Sequence, residues 1–148
     1  MIRKLRREDR ESYLELARAF YQSEAVLHPV PELHLERTFE EAAGGSPYVE
    51  CLLFEQDTQI TGFALLALTW SQEAGGKVVW VEELYVLPEF RGQGIGKAFF
   101  GWLEQNYPDA SRFRLEIEPD NHKAEALYRQ MGFDFLDYRQ MVAEKGCK

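Results

Sequence analysis

The chain has 148 residues, enough for one domain spanning 1–148 and too few for a separate regulatory module. Its 17 Lys and Arg face 25 Asp and Glu, and a net charge of -8 without a basic patch beyond the first few positions argues against nucleic acid as a partner. Two cysteines, Cys51 and Cys147, make no disulfide framework, and no His/Cys/Asp grouping has metal-ligand spacing.

Cys51 sits in an apolar run and reads as a buried thiol, whereas Cys147 in the terminal tail reads as incidental. No apolar stretch is long enough to span a bilayer, and the basic start lacks the apolar core of a secretory signal. The expectation is a cytoplasmic protein without a membrane partner.

Residues 2–6 form a short strand. From Glu8 the residues Tyr13, Leu16, Ala17 and Phe20 recur at helical spacing, which predicts a first helix to about Val26. His28-Pro29-Val30-Pro31 breaks it. A second helix carries Leu33, Phe39 and Ala43 inward and ends at Gly44-Gly45. Strands are predicted over 48–55, 60–69 and 77–87, separated by turns and stopped by Pro88. A glycine-rich loop, Arg91-Gly92-Gln93-Gly94-Ile95-Gly96, then opens a helix with Phe99, Trp102 and Leu103 on its apolar face. Residues 112–118 alternate as a strand, with Phe113, Leu115 and Ile117 on one face. A helix with Ala124, Leu127, Tyr128 and Met131 follows Pro119-Asp120-Asn121, and Gly132 caps it. Residues 133–142 read as a last strand. The architecture is mixed α/β: an antiparallel meander, then parallel pairing of the 77–87 and 112–118 strands across a helical crossover.

A glycine loop between strand and helix suits a phosphate. Glycines let successive N–H groups converge, and the helix adds its unpaired first-turn donors. Arg91 and Lys97 can add charge. The loop is no Walker loop, because Gly96 is followed by Lys97-Ala98, and its spacing is not that of the dinucleotide fingerprint. Taken alone it also fits a plain glycine-rich connection.

Two blocks narrow the reading. VEELYVLPEFRGQGIGKAFF (81–100) and LEIEPDNHKAEALYRQMGF (115–133) together resemble the GCN5-related N-acetyltransferase (GNAT) superfamily. Arg91, Gly94 and Gly96 match that family's central motif. Asn121, the Leu127-Tyr128 pair and the Gly132-Phe133 pair match the next one. The resemblance covers essentially the whole chain, with the first two helices as the variable acceptor region. It implies the family's twisted, mostly antiparallel sheet flanked by helices, acetyl-CoA as co-substrate, and acyl transfer to an amine by direct attack in a ternary complex.

The same resemblance implies site residues. The loop amides of Arg91, Gly92, Gln93, Gly94, Ile95, Gly96 and Lys97 would hold the pyrophosphate. Leu84, Tyr85 and Val86 would meet the pantetheine arm by backbone hydrogen bonds, beside a bulge in the fourth strand. Asn121 would touch the arm or simply cap its helix. Tyr128 is the candidate acid, since a phenol can protonate a departing thiolate, although a core filler beside Leu127 fits its composition equally. Glu82 is the first candidate base, Glu116 the second, Glu83 the last. A water chain without a single base is also compatible.

Tyr21, Trp70, Trp80 and the segment to His34 are candidate walls for the acceptor. His28 and His34 read mainly as surface histidines. Aromatics beside carboxylates suit an ammonium group. The expected acceptor is therefore a small cationic amine, with a protein N-terminus or lysine as the alternative. Nothing in the sequence opposes a homodimer, and a non-catalytic CoA-binding sensor or partner subunit is the reading from another class.

Overall fold

The computed structural model describes residues 1–146, so Cys147 lies outside the described residues. Strand β1 (Ile2–Lys4) leads through a 3-10 turn into helices α1 (Arg10–Tyr21) and α2 (Glu32–Ala43). Three long strands follow: β2 (Val49–Gln56), β3 (Gln59–Ser71) and β4 (Gly76–Val86). Helix α3 (Ile95–Asn106), strand β5 (Ala110–Leu115) and helix α4 (His122–Gln130) complete the order. The sheet order is β1-β2-β3-β4-β5, antiparallel except for the parallel β4–β5 pair.

Period-two alternation on the central strands divides the core into two layers. Cys51, Leu53, Phe63, Leu65 and Tyr85 face α1 and α2, where they meet Tyr13, Ala17, Phe20, Leu35 and Phe39. Leu52, Phe54, Ala64, Leu66, Val79 and Val81 face the other way and bury Phe99, Phe100 and Leu103 of α3. Leu84, Val86 and Tyr128 pack on this second side. Cys51 is 1% exposed, and burial pushes its thiol well above the usual range.

Several sequence expectations need correction. Helix α1 stops at Tyr21 rather than near Val26, because the Ser23 hydroxyl donates to the Phe20 carbonyl (2.6 Å) and competes with a further turn. Leu33 faces outward; Leu35 and Phe39 are the buried residues of α2. Strand β5 ends at Leu115 rather than 118.

The predicted last strand is absent. Residues 133–146 form no ladder, because the apolar residues come as adjacent pairs, Phe135-Leu136 and Met141-Val142. That pattern cannot place them all on one buried face. Met141 is 98% exposed, and β5 has no strand on its outer edge among the described residues.

Candidate active site

The parallel β4–β5 ladder runs from Lys77–Ala110 to Val81–Leu115 and stops there. Beyond Val81, residues 83–86 keep their antiparallel pairing with β3 but have no β5 partner. On this stretch the N–H and C=O of Leu84 and the N–H of Val86 face the vacated edge, whereas the backbone groups of Tyr85 point to Phe63 of β3.

A β-bulge sits at the same point. Leu65 pairs with Glu83 and Leu66 with Val81, so Glu82 is the extra residue. The bulge resets which way the following side chains face. A regular strand would send Glu83 after Val79 and Val81 onto the α3 side. Instead Glu83 turns toward α1, where the Tyr21 hydroxyl donates to its Oε2. Its Oε1 is buried without a hydrogen-bond partner among the described residues. Burial, reinforced by the neighbouring Glu82 and opposed by the Tyr21 hydrogen bond, pushes the Glu83 carboxyl up to about 7. Glu82 is raised as well, first by desolvation and then by Glu116. Three carboxylates thus share one neighbourhood at the mouth of the split.

A raised carboxyl pKa has a consequence for stability. The folded state favours protonated Glu83, so its contribution is fully present near the unfolded value of 4.5 and is lost as pH rises through about 7. Glu83→Gln is expected to stabilise the fold at pH 8, by on the order of 2–3 kcal/mol, and to change little near pH 4.5. Thermal melts of both proteins at the two pH values test this. A variant less stable at pH 8 would show that the carboxylate is compensated in the fold.

On the other side of the split lies the glycine loop. Gly92 and Gly94 have φ of 79° and 82°, a left-handed backbone that glycine adopts without strain. Gly94 is the N-cap of α3, and the first helical bond runs from the Ala98 N–H to its carbonyl (3.0 Å). The amides of residues 92–97 therefore have no backbone acceptor among the described residues. A Cβ built on Gly92 or Gly94 meets no atom within 4 Å. The loop has open space where side chains would stand and amides without backbone acceptors among the described residues, which fits a diphosphate.

Gly96 differs from both. Its added Cβ meets Leu127 Cδ2 at 3.5 Å, an ordinary contact between α3 and α4. Arg91 turns back to β4: its Nε donates to the Val86 carbonyl (2.8 Å), and the guanidinium lies over the Tyr85 ring. It braces the strand end rather than reaching over the loop.

Asn121 caps α4, its Oδ1 accepting from the Ala124 N–H (3.2 Å). Seven residues on, the Tyr128 ring packs edge-on against Phe100 (5.8 Å) and beside Phe133 (6.1 Å). Burial raises its pKa, so the phenol stays protonated at neutral pH.

A cavity of about 430 Å³ wraps the free edge of β5, lined among others by Arg114, Glu116 and Tyr128. Trp80 lies near it, stacked under Arg114. Trp70 does not: it follows Leu66 and Leu68 on the α3 face and is 77% exposed at the end of β3. Sequence reasoning missed Arg114, whose only signal was its place two residues before Glu116. His28 is exposed and His34 half-buried, and no group of His, Cys, Asp and Glu among the described residues is arranged to hold a metal ion.

A five-stranded sheet split beside a bulge, with an amide loop next to the opening, is the arrangement of an acyltransferase. The profile of the Acetyltransferase (GNAT) family matches residues 8–133, and the chain belongs to that family. It is 28% identical over 141 residues to the thialysine N-epsilon-acetyltransferase of Mus musculus, covering 88% of this chain and 82% of that one. Its fold is similar to that of a possible acetyltransferase from Clostridium difficile 630, with a TM-score of 0.82 at 18% identity, covering 98% and 97% of the two chains. It is likewise similar to AAC(6')-Iy solved with the bisubstrate analog CoA-S-monomethyl-acetylneamine, with a TM-score of 0.78 at 18% identity and coverage of 99% and 98%.

Proposed function

We propose that the chain transfers an acetyl group from acetyl-CoA to the primary amine of a small cationic molecule, by direct attack in a ternary complex. The observation that carries this reading is the split at Val81. It frees the β4 backbone and gathers Glu82, Glu83 and Glu116 at the opening. The solved complex of AAC(6')-Iy with a CoA bisubstrate analog and the name of the mouse relative, an acetyltransferase of an ε-amine, support it.

Acetyl-CoA supplies an activated acyl carbon and a thiolate leaving group. The residues of this chain do the rest. The amides of residues 92–97 hold the diphosphate, with Lys97 adding charge and Asn121 setting the start of α4 beside the arm. The released β4 groups at Leu84 and Val86 align the thioester arm, with Tyr85 paired to β3 between them, and a freed N–H there stabilises the oxyanion. Glu82 takes the proton from the acceptor ammonium, with Glu116 beside it, so that a neutral amine attacks. As the new C–N bond forms and the C–S bond breaks, Tyr128 gives its proton to the sulfur.

Calorimetry with acetyl-CoA, followed by thiol release over a panel of polyamines, amino sugars, amino acids and peptides, tests the function. Binding without thiol release from any amine would leave a CoA sensor, and turnover confined to peptides would leave a protein acetyltransferase. Glu82→Gln refines the role. As the base, its loss lowers the rate most at low pH, where the amine is protonated, with partial recovery as pH rises. A risen KM with kcat near wild type would make Glu82 a binding group only.

A further inference from the structure

We propose that Arg114, held over the Trp80 ring, binds a carboxylate of the acceptor, so that the preferred acceptor is an amino acid with a terminal amine rather than a plain polyamine. This rests on the acetyltransferase reading above and narrows its substrate class.

Trp80 and Arg114 are register partners on β4 and β5, and the guanidinium carbon lies 4.0 Å from the centre of the indole ring. Both side chains therefore project from the sheet face opposite Val79, Val81, Phe113 and Leu115, which pack toward α3. The stack fixes the guanidinium without using its hydrogen bonds, because a cation over a ring keeps its N–H fork in plane and free.

The two arginines of β5 are treated differently. Arg112 is neutralised: its Nη1 donates to Glu73 Oε1 (3.0 Å), and Tyr138 donates to the other oxygen (2.6 Å). Arg114 has no carboxylate within ion-pair distance among the described residues, and Glu73, which feels its charge, is already held by Arg112 and Tyr138. A half-buried guanidinium with an unused fork is suited to a planar anion, and a carboxylate takes both of its parallel donors.

The cation sits next to the groups that would receive the amine. Glu116 follows Arg114 by two residues, a rise of roughly 6–7 Å along extended chain. Glu82 follows Trp80 by two residues and feels Glu116. Arg114 and Glu116 also line the cavity along the outer edge of β5. A cation at one end and carboxylates at the other read both ends of a zwitterion whose amine lies several carbons from its carboxylate. A polyamine would instead place a second ammonium against Arg114.

Matched pairs differing only in the carboxylate test this: L-lysine against cadaverine, and L-ornithine against putrescine. Wild type is expected to prefer the amino acid of each pair by about 10–100-fold in kcat/KM, the range a charge-assisted hydrogen bond supplies, expressed mainly in KM. Arg114→Gln should bring the ratio close to one, and Arg114→Lys should recover part of it.

Equal kcat/KM for both members of a pair, or a ratio untouched by Arg114→Gln, overturns the proposal. If acetyl-CoA binds and no amine releases thiol, the acetyltransferase reading fails. Calorimetry of L-lysine into wild type and Arg114→Gln in the presence of CoA then still decides the carboxylate site. Binding that disappears in the variant upholds it, and no binding to wild type removes it.

Discussion

Tyr128→Phe is expected to lower turnover by on the order of 10²–10⁴-fold while leaving fold and acetyl-CoA affinity close to wild type. The ring stays where it is because Phe100 and Phe133 pack on it, and a phenylalanine makes the same edge contacts. Only the hydroxyl goes. Burial raises the phenol pKa, so the hydroxyl carries its proton at neutral pH and can give it up only as the sulfur leaves, if Tyr128 is the acid proposed above. Single-turnover thiol release, measured beside calorimetric affinity and a thermal melt, separates chemistry from binding. Normal turnover in a chemistry-limited assay would show that the hydroxyl packs or positions, and that water supplies the proton.

The parts of this site that were legible in the sequence are those set by short-range stereochemistry. The loop at 91–96 stands out because two of its glycines occupy left-handed backbone. The meander and the parallel crossover follow from alternation and from the turns between strands. What was not legible depends on how strands meet. The bulge at Glu82 leaves no mark on a period-two pattern, yet it decides that Glu83 turns toward Tyr21 on α1, 62 residues away. The ranking of Glu82 ahead of Glu83 rests on the family resemblance, and strand alternation alone could not have ordered the two, because regular pairing ends at Val81. Arg114 was invisible for a similar reason, since its partner Trp80 lies on another strand. The segment at 133–142 shows the converse error: apolar content suggested a strand, but adjacent apolar pairs lack the alternation that would hold it on the β5 edge.

Gly94→Val is expected to weaken acetyl-CoA binding by about 100-fold or more, whereas Gly96→Ala should bind close to normally. The two glycines look equivalent in sequence and are not equivalent in structure. At Gly94 φ is 82°, and a β-branched residue there pays the full left-handed penalty, so the backbone at the N-cap of α3 must rotate. Rotation turns away the neighbouring amides that have no backbone acceptor among the described residues. The new Cβ meets no atom of the described residues within 4 Å, so the fold should survive and the loss should fall on the ligand. At Gly96 the backbone is helical, and a Cβ comes to an ordinary 3.5 Å from Leu127. Alanine suits a helix better than glycine, and the contact adds to the α3–α4 seam rather than filling the ligand's space. Calorimetry with acetyl-CoA, with thermal melts to confirm folding, reads both variants. A folded Gly94→Val protein with wild-type affinity would mean that the loop amides do not hold the diphosphate. Equal losses at both positions would mean that the ligand approaches the first turn of α3 more closely than the open side of the loop requires.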